Sequence, residues 1–216
     1  MRKIITDDQE TVTRLGNPAK PQGEEGRKML IRMNSSHSGV TEWALSFLSF
    51  SENDRALDIG CGGGATVKRL SDRIPRGHIA GVDYSEISVE MSISTNADDI
   101  ARGKTEIYLA SVDNLPFDDN SFDKIVTVES FYFWPDPVKN LREVRRVLKP
   151  DGVFMMAADI YGKNGLSEQT LENVRRYALT NPTLDRFGEM FSEAGFTDIA
   201  IRIRRDTDWV CVEAKG

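Results

Sequence analysis

The residues with the most chemical promise are Asp58-Ile59-Gly60-Cys61-Gly62-Gly63-Gly64, an acid followed by a run of glycines. Glycine has no Cβ, so such a loop can turn sharply and let backbone approach a ligand closely. A second acid, Asp83, lies nineteen residues beyond Gly64. At that separation a carboxylate ending the next strand accepts hydrogen bonds from ribose hydroxyls. The pair points to a ligand that carries a nucleoside. Gly60, Gly62 and Ala65 also satisfy G-x-G-x-x-A, the dinucleotide fingerprint. Against a dinucleotide, Asp58 sits badly beside a pyrophosphate but well beside a positive amino group. The chain also lacks a Tyr-x-x-x-Lys pair for hydride chemistry.

Other candidates follow the later strands. Glu129 closes the apolar run FDKIVTVE, and the aromatic run Phe131-Tyr132-Phe133-Trp134-Pro135-Asp136 comes directly after it. Rings there, Tyr132 or Trp134, either shape a pocket and lie over a cation, an attraction of about 0.5–2 kcal/mol, or simply cover the sheet end. His37 is the histidine placed to act as a base, because His78 opens a buried strand; its alternative is a cap or packing role. Cys61 is read as a small residue in a tight loop. Two cysteines and two histidines are too few for a disulfide framework or a zinc centre, so no metal is expected.

The elements that must hold these residues alternate strictly. From Val40, the residues Val40, Trp43, Ala44, Phe47 and Leu48 form one helical face, with Ser38 as its N-cap. RALDIG leads into the glycine loop, and a helix with Val67, Leu70 and Ile74 follows. HIAGVDY is a strand, and Ser85 caps a helix that buries Ile93, Ala97, Ile100 and Ala101. Strands at about 105–110 and 122–129 come next, then a helix opened by Asp136-Pro137. Lys149-Pro150-Asp151-Gly152 is a turn before strand 152–158. Residues 160–180, with Tyr161 and a short helix carrying Leu171, Val174 and Ala178, form either a lid over the site or a surface excursion. A helix stopped by Gly195 precedes strands 197–204 and 208–214, too close for a crossover and so an antiparallel hairpin. Residues 1–26 show no sustained periodicity and read as an arm or loosely packed cap.

Composition narrows the class. With 216 residues, 39% of them hydrophobic and 29% charged, the chain suits one α/β domain with a small cap. No apolar run approaches the roughly 20 residues of a membrane span, and MRKIITDDQE does not read as a signal peptide. A cytoplasmic setting follows. A net charge of −6 argues against nucleic acid as partner, because polyanion binding needs a basic face.

In order, ALDIGCGGG (56–64), GVDYS (81–85), ASVDNLPFDDNSFDKIVTVES (110–130) and LREVRRVLKPDG (141–152) resemble the class I S-adenosylmethionine (SAM)-dependent methyltransferases, in particular the methyltransferase type 11 group. The resemblance covers about residues 40–216 and leaves 1–39 as the N-terminal arm or cap. It implies a Rossmann-like seven-stranded sheet in the order 3-2-1-4-5-7-6, last strand antiparallel, with helices on both faces. It implies SAM as methyl donor and S-adenosylhomocysteine as product. Carried over by position, Gly60, Cys61 and Gly62 contact the methionine part, with Asp58 supporting its amine. Asp83 holds the ribose, Tyr84 packs on adenine, and Glu129 faces the methionine or the acceptor. Where relatives commonly place an aspartate toward the adenine amine, this chain offers Ser111 beside Val112 and Asp113. Either Ser111 makes a weaker contact or Asp113 substitutes. The implied reaction is transfer of a methyl group to a small-molecule acceptor. A SAM-binding regulatory module without catalysis and a nicotinamide oxidoreductase are the alternatives. The acceptor and the oligomeric state stay open.

Overall fold

The computed structural model describes residues 9–216. Residues 1–8, on which the signal-peptide reading largely rests, lie outside the described part. Three helices come first: α1 (Gln9–Gly16), α2 (Gly23–Ser36) and α3 (Ser38–Leu45). Then come β1 (Arg55–Ile59), α4 (Ala65–Arg73), β2 (His78–Asp83), α5 (Glu86–Thr95), α6 (Ala97–Ala101) and β3 (Thr105–Leu109). The second half holds β4 (Phe122–Val128), a 3₁₀ turn at Phe131–Phe133, α7 (Pro137–Val147) and β5 (Leu148–Ala158). It ends with α8 (Glu168–Arg176), α9 (Leu184–Glu193), β6 (Thr197–Ile203) and β7 (Val210–Lys215).

Among the described residues the strands form one seven-stranded sheet, ordered β3-β2-β1-β4-β5-β7-β6. Strands β1 to β5 pair in parallel, whereas β7 runs antiparallel to both β5 and β6. This is the Rossmann-like sheet with its closing hairpin. Strand order reverses between β1 and β4, so a crevice opens beyond their carboxyl ends, where ligands of such sheets bind. Both faces are covered. Strand β5 shows why, sending Phe154 and Met156 into one core and Met155 and Ala157 into the other. The first core stacks Phe154 on Phe191 at 5.6 Å, below α7 and α9. The second packs Val40, Ala44 and Leu45 of α3 with Val67 and Leu70 of α4.

Local signals set several boundaries. Ser85 accepts a hydrogen bond from the Ser88 amide, and Asp136 accepts one from Lys139 with Pro137 at the first helical position. Other expectations need correction. Residues 9–26 are not a loose arm: they contribute α1 and the start of α2, and Val12 and Gly26 are buried. Ser38 is the first residue of α3 rather than its cap, because only His37 separates α2 from α3. The Ser38 hydroxyl instead accepts from Arg69 at 2.8 Å. Phe47 and Leu48 lie in turns beyond α3. Lys149-Pro150-Asp151-Gly152 is an irregularity inside β5, not a separate turn, since Phe122 pairs with Leu148 and Lys124 with Val153. Helix α8 buries none of its residues.

The largest correction concerns α5. Its inward face is Ser88 and Ser92, continued by Asn96 and Asp99, while Ile93 is 43% exposed and Ala97 and Ala101 are exposed. The reason is distance. A Cβ at Gly64 would meet Ser92 Cα at 2.8 Å and Asn96 Nδ2 at 2.6 Å, so α5 lies against the glycine loop and only small or hydrogen-bonding side chains fit between them. Asn96 donates to the Gly64 carbonyl at 3.1 Å.

Candidate functional site

The glycine loop leaves β1 with Gly60, Gly62 and Gly64 all at positive φ, 75°, 50° and 82°. At Gly60 the requirement is doubly strict, because a Cβ would lie 2.1 Å from Ser130 Oγ. The amides of Gly60 and Cys61 donate to the Val82 carbonyl at 2.8 and 3.0 Å, tying the loop to β2. The Gly62 amide donates to Asp83 Oδ2, and the Ser85 amide to Asp83 Oδ1, both at 2.9 Å. Asp83 therefore fixes the loop and the start of α5 at once.

Between these residues and the N-terminal helices lies a cavity of about 260 Å³. Gly60, Gly62, Asp83, Tyr84, Ser111, Val112 and Glu129 of the expected set line it. Asp58, Cys61 and Asp113 do not. Asp58 is buried behind the loop, and its Oδ2 has no partner among the described residues. Burial, reinforced by the Asp83 charge, pushes its carboxyl up to about 8. Cys61 faces an adjoining recess of about 70 Å³ that shares Gly60, Gly62 and Glu129 with the cavity, and burial raises its thiol well above the usual range, which removes it as a nucleophile. Asp113 is exposed and accepts a hydrogen bond from the Ser111 hydroxyl. Of the two residues offered for the adenine amine, Ser111 is the one on the cavity wall.

The cavity is acidic. Burial raises Asp83 from its ordinary value, against the pull of its backbone hydrogen bonds. It raises Glu129 further, helped by the charge of Asp159. No lysine, arginine or histidine lines the cavity among the described residues. A pyrophosphate would meet carboxylates and no cation, whereas a sulfonium and an ammonium would meet opposite charge. SAM carries both cations, and the apolar walls of Val82 and Val112 suit its adenine. The residues fit that group.

A second chamber of about 380 Å³ adjoins the first, and Pro18, Met33, Glu129 and Phe133 line both. His37 and Tyr132 line the chamber rather than the cofactor cavity. Burial lowers the His37 pKa, so its imidazole is held neutral. The Tyr132 hydroxyl donates to Glu129 Oε2 at 2.8 Å, while Trp134 stands on the cofactor side. Glu129 joins the two spaces. It is 5% exposed, holds φ at +55° and leaves Oε1 without a partner among the described residues. Strain and an unsatisfied buried acceptor mark functional positions.

Sequence reasoning missed Asp159, Arg32, Met33 and the Pro18–Pro21 segment as lining residues. Asp159 follows β5 at its carboxyl end, and that position could have flagged it. The others belong to the cap and carry no local signal. Within 160–180, Thr170, Asn173, Tyr177 and Leu179 do reach the chamber, whereas Tyr161 is buried in the core. No cluster of three or more metal-ligating side chains occurs among the described residues, and no helix there is long and apolar enough to cross a membrane.

Comparison with known proteins places this geometry. Residues 57–156 match the family model described as a methyltransferase domain. The demethylmenaquinone methyltransferase of Staphylococcus epidermidis is 28% identical over 189 residues, covering 77% of each chain. A SAM-dependent methyltransferase structure from Aquifex aeolicus superposes with a TM-score of 0.65 at 19% identity, over 97% of this chain and 98% of that one. The geranyl diphosphate C-methyltransferase of Streptomyces coelicolor, solved with Mg2+, geranyl diphosphate and S-adenosyl-L-homocysteine, does so at 0.72 and 15% identity, over 97% and 98%.

Proposed function

We propose that this chain, a class I SAM-dependent methyltransferase, methylates a small molecule held in the chamber beside the cofactor cavity. The observation that carries the proposal is the shared wall at Glu129, Met33 and Phe133, which sets a space of small-molecule size directly against the donor site. When bound, the cofactor supplies a methyl group on a positively charged sulfur. The chain's own contribution is alignment and exclusion of water, the main needs of an in-line displacement. In this reading Asp83 and Tyr84 hold the nucleoside and Gly60 and Gly62 admit the methionine part. Ser111 and Val112 border the adenine, Asp58 supports the amino group through the loop, and Glu129 faces the transfer point. His37 and Tyr132 serve the acceptor side. Residues 1–39 act as the cap and 40–216 as the catalytic domain, in a cytoplasmic setting.

The test is incorporation of label from methyl-tritiated SAM into a cell extract separated by dialysis. Label in the diffusible fraction supports a small acceptor. Label confined to retained protein or RNA overturns it, and no label in either fraction fits the non-catalytic binding module.

A further inference from the structure

We propose that the chamber takes a small cationic amine as methyl acceptor, its N–H groups docked on Glu129 Oε1 and Asp159; this rests on the small-molecule reading above. Glu129 Oε1 is a buried oxygen with no hydrogen bond of ordinary geometry among the described residues, and Asp159 stands beside it. A ligand presenting only apolar surface would leave it so, at the cost of a buried oxygen left unpaired. A ligand N–H satisfies it.

Among the described residues three carboxyls and one guanidinium, that of Arg32, line the chamber, an acidic excess that favours a cation. Glu129 comes from the end of β4, Asp159 from the end of β5, and Asp208 from the loop before β7. Asp208 is paired with Lys163, and Arg32 of α2 donates to the Thr13 hydroxyl at 2.8 Å. Tyr132 is a neutral donor to Glu129 Oε2, and His37 is held neutral by burial. Asp159 is exposed to the chamber and its charge acts on Glu129, so two carboxyls are crowded together there. An ammonium relieves both the crowding and the orphaned oxygen. Before transfer it sheds one proton to solvent by way of the exposed Asp159 carboxylate. The nitrogen lone pair then bonds to the methyl carbon as the carbon–sulfur bond breaks with its electrons left on sulfur, giving the methylated ammonium, S-adenosylhomocysteine and one proton.

Ligand-observed NMR with n-butylammonium, n-butanol and butyrate tests this on the full chain, with and without S-adenosylhomocysteine. Expected is binding of n-butylammonium at least about tenfold tighter than either other probe, the size of one charge-assisted hydrogen bond. Asp159→Asn should reduce that preference several-fold without lowering the melting temperature, since Asp159 is exposed and its charge crowds Glu129. Equal or reversed preference, undetectable n-butylammonium binding, or a preference untouched by both Asp159→Asn and Glu129→Gln would overturn the proposal. Failure of S-adenosylhomocysteine to bind while the ammonium preference stands would overturn the acceptor role together with the cofactor reading and leave the chamber as an amine-binding site.

Discussion

Asp83 accepts two backbone amides on its two oxygens and still borders the cavity. Replacing it by alanine removes a charged acceptor from the ligand and loosens the loop together. Hydrogen bonds to charged groups contribute about 1.5–3 kcal/mol, so Asp83→Ala should weaken S-adenosylhomocysteine binding by roughly 10–100-fold in calorimetry. Unaltered affinity would remove Asp83 from the binding site. Asp58 makes a different prediction. Its carboxyl, raised to about 8 in the folded chain by burial, ionises in the unfolded chain at the usual carboxylate pH. Between those values the folded state holds more protons, so stability falls as pH rises, by up to about 1.4 kcal/mol per pH unit, and levels off above pH 8. Asp83 and Glu129 are shifted in the same direction and add to the slope. Denaturant titrations of the unliganded protein from pH 5 to 8 should show this decline, and Asp58→Asn should flatten it; an equal slope in the variant would mean Asp58 is ionised in the fold. The glycine loop and Asp83 were legible in the sequence because a sharp turn and a strand-end acid are local facts. The orphaned Oε1 of Glu129 was not, because it depends on what Tyr132 and Asp159 bring from elsewhere.

At the scale of elements, α1 and α2 behave as a cap fastened to the second strand's end. The Tyr84 hydroxyl donates to the Ala19 carbonyl, the Ser85 hydroxyl to the Pro21 carbonyl at 2.6 Å, and Arg27 pairs with Glu90. Asn34 of α2 reaches the Gly63 carbonyl at 3.2 Å. Removing residues 1–22 deletes the Pro18, Ala19 and Pro21 wall while leaving both sheet cores in place. The truncated chain should keep a cooperative melt and bind S-adenosylhomocysteine at least about tenfold more weakly, the loss of roughly 1.4 kcal/mol of contact. Full affinity after truncation would show that the cap is not part of the cofactor site. These helices escaped the sequence pattern because α1 is only eight residues long and α2 buries only Gly26, Met29 and Leu30 of its fourteen. What orders them is contact with Tyr84, Ser85 and Glu90, distant in the chain. Helix α5 misled for a related reason. Its isoleucine spacing suggested an apolar face, but the nearness of Gly64 selected serines.

For the molecule as a whole, ligand binding and folding are linked. S-adenosylhomocysteine at one hundred times its dissociation constant should stabilise the fold by about 2.7 kcal/mol. For a domain of this size that is a rise in Tm of roughly 5–11 °C. NAD at the same concentration should leave Tm in place, because its pyrophosphate meets Asp83 and Glu129 with no basic side chain lining the cavity among the described residues. A shift with NAD alone would reverse the assignment of the cavity. The alternation of strands and helices, the antiparallel closing hairpin and the donor loop were all present in the sequence, since periodicity, turn residues and motif spacing act over a few residues at a time. The tertiary structure alone decided how the cap closes the cavity, which face of α5 points inward, and that Glu129, His37, Tyr132 and Asp159 share one chamber. Those outcomes depend on distances between segments far apart in the chain, and no local pattern of residues encodes such distances.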